Sequence, residues 1–144
     1  MLTLTAKSDW QRAYDEISAF EALHIADGVR IVKLFLHITQ AEQDKRLKER
    51  LETPWKRWKT GLDDYHNRSM RAEYIEAYEE MFAETSTKAA PWVVIAADDK
   101  KWARIAGLEA VVKALQEGID LDYPPIDPAV RKVAQKALGV EIKA

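Results

Sequence analysis

The sequence predicts an α/β fold that is mostly helical and contains about two parallel strands. Helical segments alternate with two short apolar segments along the 144 residues, which is typical of a parallel sheet covered by helices. The first apolar segment, residues 29–38, is dense in β-branched and large apolar side chains, as expected of a strand buried on most of both faces. Two strands alone do not make a stable doubly wound sheet. We therefore expect further strands from a partner chain or a longer parent protein, or else a rearranged, marginal fold.

The elements in the first part of the chain follow from caps and stop signals. Ser8 is a candidate N-cap for a first helix with apolar residues at spacings of three and four, and Gly28 is a candidate stop. After the first strand, Thr39 and Glu42 form a capping-box pattern at the start of a second helix. Pro54 ends that helix, because proline disfavours helical geometry in the residue before it.

The second part of the chain repeats the alternation. Residues 62–84 carry apolar and aromatic side chains at helical spacing, which predicts one long helix. Residues 92–96 form a second short strand, and Asp98 opens a long helix that ends at Gln116. A proline-rich turn then precedes a last short helix over residues 129–138, which Gly139 is expected to end.

Composition limits the functional classes. The formal net charge of −2 argues against a general nucleic-acid-binding or membrane-surface protein. The chain has no cysteine, which excludes a disulfide framework, a thiolate metal site and a cysteine nucleophile. The N-terminus lacks the basic and apolar regions of a secretory signal, and the longest apolar run is too short to span a bilayer. We expect a cytoplasmic protein with no nucleic-acid or membrane partner.

A strongly basic segment lies within this net-acidic chain. Residues 45–59 contain seven basic and two acidic side chains, a local charge of +5. Arg46 and Arg50 lie four residues apart on one predicted helix face, and Lys56 and Lys59 follow just past the turn. Helix and turn could therefore close on a chain of phosphates from two sides.

A simpler interpretation of the basic segment is a solvated pair of helices. Residues 60–84 carry seven acids against two arginines, a local charge of −5, which could neutralise the basic segment. The tryptophans of the basic segment also have a structural interpretation. Trp55 and Trp58 are three residues apart beside lysines, and such aromatics more often anchor a turn against a core than stack on a base.

A second candidate site follows the second predicted strand, where an open α/β sheet usually binds its ligand. The loop there reads Ala97, Asp98, Asp99 and Lys100, with Arg104 one helical turn further on. The structural alternative is that Asp98 or Asp99 caps the helix and that Arg104 pairs with a carboxylate.

Together, these motifs resemble the C-terminal half of polyphosphate kinase 2 family proteins, from about Trp10 to about Leu115. The matching stretches, in order, are Phe35-Leu36-His37-Ile38-Thr39 with Glu42-Gln43, the run Arg50 to Lys59, Thr85-Ser86-Thr87, Ala90-Pro91-Trp92, Ala97-Asp98-Asp99-Lys100 and Ala103-Arg104. The resemblance implies the C-terminal part of a P-loop kinase-like three-layer α/β/α fold. It also implies magnesium-dependent phosphoryl transfer between inorganic polyphosphate and nucleoside mono- or diphosphates, with an adenine nucleotide as partner.

The resemblance also implies roles for individual regions. Residues 1–144 would be a single partial domain with a lid at about 45–68 and a C-terminal tail at about 119–144. The phosphate-binding positions carried over to the lid are Arg46, Arg50, Lys56 and Lys59. The positions carried over as bordering the nucleotide are Ala97, Asp98, Asp99, Lys100 and Arg104.

The 144 residues contain no Gly-x-x-x-x-Gly-Lys loop, and their five glycines are scattered singly. In the family, this loop and the aspartate that holds magnesium lie before the stretch that is matched here. We therefore expect no metal ligand and no catalytic residue in this chain, little or no activity from it alone, and an oligomer or a missing N-terminal half. The alternative is a non-catalytic polyanion-binding or interaction module, a degenerate relic of a kinase.

Overall fold

The computed structural model of the chain describes residues 6–139, in which two parallel strands lie between two layers of helices. This arrangement confirms the predicted α/β fold with its two parallel strands. The last residues of the predicted tail, 140–144, lie outside the described part. The elements in chain order are α1 Lys7–Ala26, β1 Lys33–His37, α2 Gln40–Glu52, a 3₁₀ helix Pro54–Lys59, α3 Leu62–Ser69, α4 Arg71–Thr85, β2 Trp92–Ala96, α5 Lys100–Gln116 and α6 Pro128–Leu138.

The two strands pair in parallel register, from Lys33 opposite Trp92 to His37 opposite Ala96. The first strand is shorter than the predicted 29–38, because β2 offers only five residues to pair with. It is also less buried than predicted, since Leu36 is 59% exposed. The expectation of a strand buried on most of both faces was therefore wrong for this chain.

One face of the sheet packs against α5 through small and aliphatic side chains. Alternate residues of a strand point to opposite faces, so Leu34 and Ile95 share this face. The cluster at its centre consists of Ile95, Ala97 and Ala103, with Leu34, Ile38 and Ala106 packed around it. Small residues on α5 let the helix approach the strands closely.

The other face of the sheet packs against α4 through aromatic side chains. The Phe35 ring lies 4.8 Å from the Tyr78 ring and 5.0 Å from the Phe82 ring, both in edge-to-face contact. Phe82 also contacts Trp92 on the second strand at 5.8 Å. Helix α4 is thereby held across both strands.

A buried ion pair connects α1 and α4 to the first strand. Lys33 Nζ donates to Glu21 Oε2 at 2.7 Å and to the Thr85 carbonyl, and it lies 5.3 Å from the centre of the Trp92 ring. The Trp92 indole in turn donates to the Thr85 hydroxyl at 2.9 Å. The lysine, the glutamate and the threonine are all buried. This network connects α1 and α4 to the amino ends of both strands.

Three predicted boundaries need correction. The first helix is capped by Ala6 without a side-chain bond, so Ser8 lies inside the helix and is not its N-cap. The predicted single helix over 62–84 is two helices, because the chain leaves helical geometry at Met70 (φ −98°, ψ 24°). The helix predicted to open at Asp98 instead begins at Lys100 and is capped by Asp99. The last helix and its αL glycine lie within one residue of their predicted places.

Candidate functional site

A groove lies at the carboxyl ends of the two strands, where the second predicted site was expected. We call it the strand-end groove, and its volume is about 350 Å³. Its lining combines three cations with aliphatic side chains from β1, from the residues that directly follow the two strands and from α5: Leu36, Ile38, Arg46, Ala97, Lys100, Ala103 and Arg104. The groove therefore brings one residue of the predicted lid, Arg46, together with three of the predicted nucleotide-bordering residues.

Arg46 connects the lid helix to the loop that follows β2. Its Nη2 donates to the Ala97 carbonyl at 2.7 Å and to the Asp98 carbonyl at 3.2 Å. Its Nε donates to Glu42 Oε1 at 2.8 Å. Hydrogen bonds from Arg46 and Lys45 hold the pKa of the Glu42 carboxyl below its usual value. Arg46 is therefore already engaged with the protein.

Asp98 completes this connection from the opposite side. Its carboxylate accepts the Thr39 amide at 2.8 Å and the Thr39 hydroxyl at 2.9 Å, directly before α2. These bonds lower the pKa of Asp98, with a smaller contribution from the Arg46 charge. In a complete capping box Glu42 would accept the Thr39 amide, and here Asp98 takes that role. Asp98 thus fastens the N-terminus of the lid helix to the β2–α5 loop.

Asp99 has the structural role that the sequence left open. Its carboxylate accepts the amides of Lys101 and Trp102 at 2.7 and 3.1 Å and caps α5, and these bonds lower its pKa. By contrast, the charged side chains of Lys100 and Arg104 are not engaged in an ion pair with any of residues 6–139. The carboxylate pairing predicted as the alternative for Arg104 is therefore not seen in the described part of the chain.

The remaining predicted lid residues lie around the 3₁₀ helix, not in the groove. Arg50 Nη1 donates to the Lys59 carbonyl at 3.3 Å and lies 3.4 Å from Asp64 Oδ1. Lys56 pairs with Glu49. Lys59 lies 5.2 Å from the ring centre of Trp58. The structure thus separates the predicted basic site into a groove cluster and a turn cluster.

Glu49 lies between these clusters. The hydrogen bond from Lys56, and then the charges of Lys56, Lys100 and Lys45, lower its pKa. Sequence reasoning gave no role to this residue. Glu49 is one of two acids in a basic segment and lies seven residues before Lys56, and this spacing gives only a weak signal for the pair that the fold forms.

The solvated-helix alternative describes only part of the contacts. Two of the five salt bridges that residues 45–59 make are internal, Lys48 with Glu52 at 3.7 Å and Lys56 with Glu49, and two more run back to Glu42. The salt bridge between this segment and residues 60–84 is Arg50 with Asp64 at 3.4 Å, while Arg68 of the acidic stretch pairs with Asp44, just before the segment, at 2.6 Å. The tryptophans do not anchor the turn against a core, because Trp55 is 74% and Trp58 78% exposed. That expectation was wrong.

The carboxylates near the groove are engaged as acceptors or ion-pair partners and remain ionised at neutral pH. This arrangement suits electrostatic binding of an anion and offers no carboxyl group poised as a general acid. Within residues 6–139, there is no group of three or more histidine or acidic side chains that could hold a metal ion. Over the same residues, no helix is both long and apolar enough to cross a membrane.

Comparison with known proteins gives a consistent result. A sequence model of the family described as Polyphosphate kinase 2 matches residues 1–120. The AMP/ADP-polyphosphate phosphotransferase of Meiothermus ruber is 40% identical over 130 residues, which cover 90% of this chain and 48% of that protein. The ADP-polyphosphate phosphotransferase of Rhodopseudomonas palustris is 39% identical over 126 residues, covering 88% and 43% respectively.

The fold comparison agrees with the sequence comparison. The crystal structure of Polyphosphate Kinase 2 from Arthrobacter aurescens superposes with a TM-score of 0.75 at 35% identity, covering 91% of this chain and 47% of that one. The match confirms the predicted P-loop kinase-like fold. The chain spans about half the length, or less, of these relatives.

Proposed function

Because the chain belongs to the polyphosphate kinase 2 family, we propose that it provides the lid and the strand-end groove of a polyphosphate-dependent nucleotide kinase. The reaction would move phosphoryl groups between inorganic polyphosphate and AMP or ADP, the substrates that the relatives' names give for those proteins. The observation that supports this best is the groove itself. Two of its cations, Lys100 and Arg104, have no salt-bridge partner among residues 6–139, and they line it where an α/β sheet usually binds ligand.

The two basic clusters would bind different substrates. We propose that Lys100 and Arg104 contact the nucleotide, while Arg50, Lys56 and Lys59 contact polyphosphate. Arg46, Asp98 and Asp99 would not contact the substrates directly. Their polar atoms already hold the lid helix and α5 in place, so they would position the residues that do. Their contribution is to fix the distance between lid and groove.

Polyphosphate binding would require an exchange of partners. Lys56 is paired with Glu49, which stays ionised because its pKa is lowered. A phosphate group that binds Lys56 displaces the Glu49 carboxylate. The lysine then exchanges a singly charged ion-pair partner for a more highly charged one. We expect the exchange to weaken with added salt, because exposed charges are screened.

We keep the predicted lid at about 45–68 and the tail at about 119–144 as proposals. The lid range contains α3 and the 3₁₀ helix, which connect back to α2 through Arg50 and Arg68. The family match ends at residue 120, and helix α6 lies beyond it. These facts support a division between a family-like body and an added C-terminal segment.

Transfer would also need a phosphate cradle that these 144 residues do not contain. We propose that it comes from a preceding part of a longer protein or from a partner chain. The magnesium that is implied by the family would likewise have to be held there or by the substrates, because residues 6–139 offer no fitting ligand set. A cytoplasmic location remains part of the same proposal.

The second candidate function is a non-catalytic polyanion-binding or interaction module, a relic of such a kinase. It is favoured by the same basic clusters, which can bind phosphate chains without a transfer step. Both functions predict polyphosphate binding, and only the first predicts turnover once a phosphate loop is supplied.

The test is a phosphotransfer assay with magnesium, polyphosphate and either AMP or ADP. The purified chain would be compared with the intact Meiothermus ruber relative and with a fusion of this chain to that relative's unmatched N-terminal part. We expect little or no turnover from the chain alone and measurable turnover from the fusion. Turnover of the lone chain near that of the relative would overturn the need for a separate phosphate loop. An inactive, folded fusion would favour the binding module.

Binding is measured separately, by titration of polyphosphate into the chain at low and high salt. Lys56→Ala is expected to weaken polyphosphate binding several-fold, whereas Lys100→Ala and Arg104→Ala should weaken the binding of AMP or ADP, titrated in the same way. The matched control is Lys132→Ala, an exposed lysine on α6 that does not line the groove. Equal losses in the control and in the three variants would remove the site assignment.

A further inference from the structure

Both substrates of the proposed reaction carry phosphate groups, and the chain has two basic clusters with which to bind them. If the proposed function holds, polyphosphate binds the turn cluster, which consists of Arg50, Lys56 and Lys59, and the nucleotide binds Lys100 and Arg104 in the groove. A cation attracts a phosphate group by its charge, whichever molecule carries that group. A long polyphosphate is therefore attracted to both clusters, and binding two different substrates requires a feature that keeps it out of the groove.

Glu49 lies on α2 between the residues that belong to the groove and those that belong to the turn. It follows Arg46, which lines the groove, by three residues, and side chains at this spacing are neighbours on a helix surface. It directly precedes Arg50, which donates to the Lys59 carbonyl of the turn at 3.3 Å. The Glu49 carboxylate pairs with Lys56, and its side chain is 48% exposed. A polyphosphate that extends from the turn toward the groove therefore has to pass a negative charge.

The charge of Glu49 interacts with cations of both clusters. The hydrogen bond from Lys56 and the charges of Lys56, Lys100 and Lys45 lower the pKa of this carboxyl, so it is ionised at neutral pH. A phosphate group that binds Lys56 displaces the carboxylate from the lysine but does not remove its charge from α2. The displaced carboxylate then repels the next phosphate groups of the chain on the path from Lys56 to Lys100, because like charges repel.

We propose that Glu49 determines which substrate each cluster binds: it confines polyphosphate to the turn cluster and leaves the groove to the nucleotide. Transfer is compatible with this role, because it needs only the terminal phosphate of the chain to reach the nucleotide, and no further units in the groove. Glu52, the other acid of the basic segment, is suited to a different role. It pairs at 3.7 Å with Lys48, which belongs to neither cluster. The two glutamates therefore form a matched pair for a test.

Competition between the two ligands tests the proposal. ADP is titrated into the 144-residue chain by calorimetry, first alone and then with saturating polyphosphate. In the unchanged chain we expect polyphosphate to have little effect on the affinity for ADP. Glu49→Gln removes the charge but keeps the size of the side chain and an oxygen that accepts from Lys56, and here polyphosphate should weaken ADP binding several-fold. The control Glu52→Gln removes the same charge from the same segment and should behave like the unchanged chain. Circular dichroism checks that each variant is folded.

The affinity for polyphosphate is a second measurement. Glu49→Gln should bind polyphosphate several-fold more tightly than Glu52→Gln does, and this gain should disappear when both are measured in a Lys100→Ala background, because it comes from units of the chain that enter the groove. A gain that persists without Lys100 overturns the proposal, as does equal competition in Glu49→Gln and Glu52→Gln. If the unchanged chain binds both ligands, these outcomes refute only the role of Glu49. An unchanged chain that binds neither ligand refutes the proposed function and this inference together.

Discussion

Replacing Arg46 with alanine is expected to destabilise the chain more than any substitution in the basic turn. The guanidinium reaches from α2 to two carbonyls of the β2–α5 loop, at 2.7 Å to Ala97 and 3.2 Å to Asp98. The side chain is only 23% exposed, and Ala97 is buried. Arg46→Ala therefore removes the bonds that hold the lid helix to the loop and leaves a buried residue's carbonyl without its donor.

The size of the effect follows from those bonds. A hydrogen bond from a charged donor contributes about 1.5–3 kcal/mol, and the partial exposure of Arg46 lowers the sum for its contacts to about 2 kcal/mol. At this chain length, about 4 °C of melting temperature corresponds to 1 kcal/mol, so the melting temperature should fall by about 8 °C. Urea unfolding followed by circular dichroism measures the free-energy change directly.

The matched variant is Arg50→Ala, one helical turn further along α2. Its contacts are longer, at 3.3 Å to the Lys59 carbonyl and 3.4 Å to Asp64, and more exposed, so its loss should cost less than about 1 kcal/mol. If Arg50→Ala were as destabilising as Arg46→Ala, the distinction between a structural and an available arginine would be refuted. Polyphosphate affinity should follow the opposite order, with the larger direct loss in Arg50→Ala.

Three further predictions concern the fold. Glu21→Leu should cost about 3 kcal/mol because it leaves buried Lys33 unpaired, and adding Lys33→Met should recover much of that loss in urea unfolding; no recovery would contradict the uncompensated charge as the cause. Gly107→Ala should raise stability by about 0.5–1 kcal/mol, since a Cβ there would meet Leu34 and Ile95 at ordinary distances of 3.8 and 3.9 Å; a lower melting temperature would contradict this. The pKa values of Glu42, Asp44, Glu49, Asp98 and Asp99 lie below their usual 4.5 or 3.8, so the native state binds fewer protons than the unfolded chain. Their stabilisation is complete above those usual values and is lost as pH falls through the lower native ones. The unfolding free energy should therefore begin to drop as the pH falls below about 5 and continue to drop below 3.8, and a flat profile would contradict the assignment.

The sequence predicts well those features that depend on neighbouring residues. The Thr39 cap, the stop before Pro54 and the αL turn at Gly139 each depend on one or two residues close by, and each is found where the sequence places it. Strand β2 matches its predicted range because turn signals bound it on both sides. Membership of the polyphosphate kinase 2 family followed from several such motifs in one order, and the comparisons confirm it.

Features that depend on distant residues were predicted poorly. The helix break at Met70 accompanies Arg68 binding Asp44 and Arg71 binding the Ile38 carbonyl, contacts that no local pattern encodes. Of two adjacent aspartates, either could have capped α5. Asp99 is the cap of α5 because the Asp98 carboxylate binds Thr39, which lies 59 residues earlier in the chain.

The same limitation affects the candidate site. Sequence spacing identified the cations but not which of them already had partners. Arg46, predicted as a phosphate contact, is engaged with backbone carbonyls. Lys100 and Arg104 have no salt-bridge partner in the described part of the chain, although pairing with a carboxylate was the alternative for Arg104. Pairing is a property of the folded neighbourhood, and the spacing along the helix does not contain it.

A net charge of −2 is compatible with anion binding at the groove because the nearest acids are directed away from it. Asp98 turns both carboxylate oxygens toward Thr39, and Asp99 turns its acceptor toward the first amides of α5. Each charge is thereby compensated by the donors that it binds. Lys100 and Arg104 have no salt-bridge partner among the described residues, so their charges can act on an anion in the groove although the chain as a whole is acidic. The two aspartates thus fix the loop that presents the cations and leave the groove itself open to an anion.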